Sequence, residues 1–128
     1  MGGGTELGKV RGLGASKEGT HHWIVQRYTA VGNLLLVTWL VISLAMLPAL
    51  DHWVVVGWLQ KPLVAVPMML LIVSVFNHLR LGLQVFIEDY VHEDGLKFAV
   101  IMLVNFFAIG AGTLGIFSVA KIAFSGAV

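Results

Sequence analysis

An all-α membrane protein with three transmembrane helices is the architecture that the composition and charge spacing of this chain dictate. Of its 128 residues, 58% are hydrophobic and only 12% charged, against about 45–50% apolar and about 25% charged in an average soluble domain. Mean hydropathy is +0.89. The charges are also placed so as to leave residues 28–50 and 98–120 free of Asp, Glu, Lys and Arg. Each run exceeds the roughly 20 mainly apolar residues, at about 1.5 Å apiece, that cross a bilayer core.

The elements follow in order. Residues 1–16 are Gly-rich with little that packs, and are expected to form a flexible arm. Residues 17–128 then make a single membrane domain with spans at about 28–50, 62–87 and 97–121. The first runs from Tyr28 to Leu50, with Pro48 near its end. Asp51 to Lys61 carries Trp53 and Trp58, amphipathic rings that favour the headgroup region. It reads as a short interfacial helix with Asp51 as its N-cap. Pro62 suits the first position of the next helix, and Pro67 is expected to kink that helix or mark its first turn. The second span contains His78 and Arg80, and the third is closed by Lys121.

A formal charge of +1 gives no basic field for nucleic acid. Without cysteine, no disulfide, thiolate metal site or cysteine nucleophile is available. Lys9, Arg11, Lys17 and Arg27 precede the first span, while the first loop holds only Lys61. The bias of positive residues places the N-terminus in the cytoplasm, residues 88–97 on the same side and the C-terminus in the periplasm. The opening residues show neither a secretory signal nor a Ser- and Arg-rich transit peptide, which favours a bacterial cytoplasmic membrane over a mitochondrial inner membrane.

Gly110 to Gly115 matches G-x-G-x-x-G, but a dinucleotide loop needs a preceding strand and a soluble crevice. The pairs Ala108 with Gly112 and Ala111 with Gly115 instead let two helices approach closely. Polar groups deep in a span are costly and mark function, so residues 74–90 are the informative stretch. At about 100° per residue, Ser74, His78, Gly82 and Asp89 fall on one stripe, where a flat cofactor would fit. His78 reads either as a haem axial ligand, its second ligand coming from another polypeptide, or as a histidine bonded to a neighbouring helix through Ser74. Arg80 lies roughly 200° from it and reaches towards carboxylates such as haem propionates, or towards lipid phosphates. Glu88, Asp89, Tyr90, His92, Glu93 and Asp94 gather protonatable groups near the membrane edge. With the segment 19–27, they offer Tyr90, Asp89, His21 and Arg27 to a quinone, which needs a donor to its carbonyl and nearby proton carriers.

The segment Gly-Thr-His-His-Trp-Ile-Val-Gln-Arg-Tyr-Thr-Ala at residues 19–30, together with His78 followed 11 and 12 positions later by Asp89 and Tyr90, resembles the smaller hydrophobic anchor subunit of succinate dehydrogenase. The resemblance covers about residues 17–125. It implies a bundle completed by a partner anchor subunit and a complex with a larger cytochrome b anchor, an iron–sulfur subunit and a flavoprotein. It puts His78 on an axial ligand of a shared haem b, Tyr90 on the tyrosine that bonds ubiquinone and Asp89 on its acidic neighbour. His21 and Arg27 match polar positions near that pocket. His22 stands where some relatives have an acid, and Arg80 where some have an aromatic. On this reading the chain is a subunit of a succinate:quinone oxidoreductase and catalyses nothing alone. An anchor of a quinol:fumarate reductase and a cofactor-free membrane scaffold are the alternatives.

Overall fold

A computed structural model describes residues 5–10, 12 and 17–125. Much of the expected arm, residues 1–4, 11 and 13–16, lies outside the described residues. Among the described residues five helices follow one another: α1 (Glu6–Val10), α2 (Lys17–Ala45), α3 (His52–Leu59), α4 (Pro62–Tyr90) and α5 (Asp94–Ser125). Among the described residues α2, α4 and α5 are long and apolar enough to cross a membrane, so the three-span, all-helical reading holds.

Local chemistry sets the boundaries. α2 ends at Ala45 rather than at the close of the uncharged run, and a turn follows at Met46–Pro48. Pro48 offers no N–H and disfavours helical geometry at the residue before it. Asp51 caps α3 as expected, accepting the Val54 N–H at 2.9 Å from an extended backbone. Pro62 occupies the first turn of α4, where its missing N–H costs nothing, while Pro67 sits inside the helix without interrupting it. At the next junction Glu93 accepts the Leu96 N–H at 2.7 Å and so caps α5.

α4 is the middle element. Among the described residues it packs against α2 on one side and α5 on the other, while α2 and α5 do not meet. The α4–α5 seam follows the small-residue pattern. Ala108 and Gly112 are buried, and a Cβ on Gly112 would stand 3.5 Å from the Phe76 ring; one on Gly115 would approach Ile72 to 3.3 Å. Missing side chains thus allow the close approach that replaces a hydrophobic driving force in lipid. α3 folds back beneath the bundle, with Trp58 buried and its ring stacked on Trp39 at 6.0 Å.

α2 contributes no buried side chain over its apolar window, and Leu34, Leu35 and Val41 are each at least 60% exposed. Water would make that surface expensive, at about 25 cal/mol per Å2; lipid tails or neighbouring helices do not. Gly112→Ala is expected to be tolerated, because 3.5 Å is ordinary contact. Gly112→Leu is expected to force α4 from α5 and lower stability by about 1–3 kcal/mol. Thermal unfolding of the two variants in the same detergent checks the difference.

Candidate functional site

One cavity of about 790 Å3 opens between α2 and α4, lined by Gly19, His22, Trp23, Gln26, Arg27 and Ala30 from α2 and by His78, Leu81, Gln84, Val85 and Glu88 from α4. The two helices run antiparallel, so the start of α2 meets the end of α4. This volume falls within the roughly 300–1,000 Å3 of cofactor and ligand sites. Its wall grades from polar at the helix ends to apolar near His78.

His78 sits deep in α4, about 18 Å along the axis from Tyr90 at 1.5 Å per residue. Its Nδ1 lies 3.0 Å from the Thr29 hydroxyl of α2. Ser74, one turn away, donates to the Thr29 carbonyl at 3.3 Å. Ser74, His78 and Gly82 of the expected stripe therefore face α2, whereas its fourth member, Asp89, is exposed. The space left by Gly82 is not open for a flat ring, since a Cβ there would meet Gln26 Nε2 at 3.5 Å. Cavity space opens beside the stripe, past Leu81, Val85 and Glu88.

Of the residues named from the sequence, the cavity brings together His78, Arg27, His22 and Glu88. Arg27 extends its guanidinium over the Trp23 ring, 4.7 Å from the centroid, an arrangement that holds a cation at an apolar rim. His21 is exposed and outside the lining, whereas His22, about 100° further round α2, faces in. Tyr90 is 70% exposed and stacks on Phe86 at 4.5 Å; neither it nor Asp89 lines the cavity. Arg80 is on another side of α4, lining a smaller groove against α5 with Asn77 and Gly112, and its buried Nε lacks a hydrogen-bond partner.

The acidic edge resolves into distinct tasks. Glu88 accepts from Gln84 at 2.9 Å, Glu93 caps α5 and Asp94 stands 3.8 Å from Lys97. Asp89 is the carboxylate of this run that carries no such bond among the described residues. Sequence reading missed Thr29, Gln26 and Gln84, because an ordinary hydroxyl or amide announces nothing until a second helix is placed against it.

Among the described residues no three His, Cys, Asp or Glu side chains converge to hold a metal ion. A lone imidazole beside an apolar cavity suits instead a metal that arrives with its own equatorial nitrogens, as in haem. His78 Nε2 carries no bond within the described residues, and Gln26 Oε1 is buried without a partner at the wall. The donor set fits such a group.

The succinate dehydrogenase/fumarate reductase transmembrane subunit family matches residues 1–112. The chain belongs to this family. It is 32% identical over 104 residues to the succinate dehydrogenase hydrophobic membrane anchor subunit of Rickettsia bellii, covering 81% of this chain and 83% of the relative. The anchor subunit of the same description from Rickettsia conorii is 32% identical over 105 residues at the same coverage, and that from Rickettsia typhi 31% identical over 104. The family match takes in the segment ahead of Lys17, which the sequence reading had left out of the resemblance. As a succinate dehydrogenase membrane anchor, the chain presents its residue pattern at 19–30 and 78–90 as two facing helix ends.

Proposed function

We propose that this anchor subunit supplies His78 as one axial ligand of a haem b shared with a larger anchor chain, and forms part of the ubiquinone-reduction site beside it. The observation that carries the reading is a single imidazole, deep in an apolar span, on the wall of a cavity large enough for a cofactor. When bound, haem supplies a one-electron redox centre between the helices. Arg27 takes the propionate-facing role in this reading, because its guanidinium lines the same cavity and Arg80 does not.

Ubiquinone is the substrate at the α4 end. Tyr90 donates a hydrogen bond from its phenolic O–H to a quinone carbonyl and orients it; Asp89, whose carboxylate carries no hydrogen bond among the described residues, passes protons from the aqueous edge as electrons arrive from an iron–sulfur subunit. His21 extends that polar surface. The exposure of Tyr90 and Asp89 is what a site completed by neighbouring subunits requires, and the uncovered face of α2 offers the larger anchor a seat. The flavoprotein that oxidises succinate completes the complex, in a bacterial cytoplasmic membrane with the N-terminus inside.

The relatives carry the succinate dehydrogenase description, which favours succinate oxidation over fumarate reduction. Purification of the tagged chain in mild detergent tests the proposal: three companion subunits and a b-type reduced-minus-oxidised spectrum are expected. A chain that purifies alone and without haem contradicts it.

A further inference from the structure

Thr29 has one hydroxyl proton and three neighbours within hydrogen-bond distance. Its Oγ1 lies 2.9 Å from the Val25 carbonyl oxygen, 3.0 Å from that of Gln26 and 3.0 Å from His78 Nδ1. The two carbonyls belong to its own helix and only accept, so helix geometry directs the hydroxyl proton to them. With its proton so directed, the oxygen faces His78 with a lone pair, an arrangement that pairs with an Nδ1–H. Neutral imidazole carries one N–H, so its other nitrogen, Nε2, is left as a free donor of electrons.

We infer that Thr29 is a positioning residue that fixes His78 in its Nδ1–H tautomer, holds the ring against α2 and tunes its donor strength at Nε2. The inference rests on the haem-ligand reading above. A second, independent contact supports the same register: Ser74 Oγ donates to the Thr29 backbone carbonyl at 3.3 Å. That bond does not involve the Thr29 side chain, so it is still available when the hydroxyl is removed. A bond from Nδ1–H to an acceptor raises the basicity of the ligating nitrogen, which favours ferric over ferrous iron. Removing it shifts the balance towards ferrous.

The test uses the whole complex, purified with Thr29→Val, Thr29→Ser or His78→Ala in this chain, and reads the haem spectrum during a potentiometric titration. Thr29→Val is expected to retain haem and to raise the ferrous-to-ferric ratio about tenfold at a fixed ambient potential, equivalent to about +59 mV for one electron. Thr29→Ser, which keeps the hydroxyl, is expected to stay within about twofold of the unmodified complex. Thr29→Ala carries the same expectation as Thr29→Val and serves if the valine variant does not assemble. An unshifted or negatively shifted midpoint in the hydroxyl-free variant, or an equal shift in Thr29→Ser, overturns the inference while leaving the ligand reading intact. Unchanged haem in His78→Ala overturns the ligand reading itself, and this inference with it.

Discussion

Substituting alanine for His78 in the assembled complex is expected to abolish the low-spin b-type signature, with haem either lost or held on one side by the partner chain alone. The size of the effect follows from the donor set. No other His, Cys or Met is on the wall of the α2–α4 cavity near the deep end; His22 lies at the opposite, polar end. Nor can the loss be a general collapse, since His78 is only partly buried and its sole hydrogen bond among the described residues is to Thr29. The helix seams rely instead on Ala108, Gly112 and the buried aliphatic side chains of α4. Reduced-minus-oxidised spectroscopy alongside subunit stoichiometry reads this directly. Full haem occupancy with unaltered spectra in an intact complex would remove the assignment.

Tyr90→Phe should separate two assays that are normally coupled. Tyr90 stands at the last position of α4, 70% exposed, with its ring on Phe86. Phenylalanine preserves that stack and the hydrophobic contact and deletes only the phenolic O–H. Losing one hydrogen bond to a substrate carbonyl costs about 1.5 kcal/mol, so quinone reduction is expected to slow about tenfold. Succinate oxidation measured with an artificial dye bypasses the quinone and should change by less than about twofold. Equal losses in both assays would place Tyr90 in the assembly of the complex rather than at its quinone.

The spans were legible because the bilayer imposes a length and charge rule that sequence displays directly. The α3 cap at Asp51, the start of α4 at Pro62 and the small-residue seam of α5 were equally readable, each being a local property of one or two residues. Less of the site could be read. Angular arithmetic grouped Ser74, His78, Gly82 and Asp89; the structure turns the first three towards α2, while Asp89 is exposed and outside the cavity lining. That arithmetic could not say that the face towards α2 is closed by Thr29 and Gln26, or that the open space lies beside it.

Composition and charge spacing by themselves determined that this chain lives in lipid, crosses three times and carries an unusual imidazole within its second span. Those properties are written along one dimension, residue by residue. Tertiary packing alone decided that His22 rather than His21 faces the cavity, that Arg27 shares it and Arg80 does not, and that the His78 ring is held by a threonine on another helix. Such choices depend on how two helices are rotated about their axes, and consecutive residues differ by about 100°. A rotation of that size exchanges one neighbour for the next without altering the hydrophobic pattern that a sequence shows.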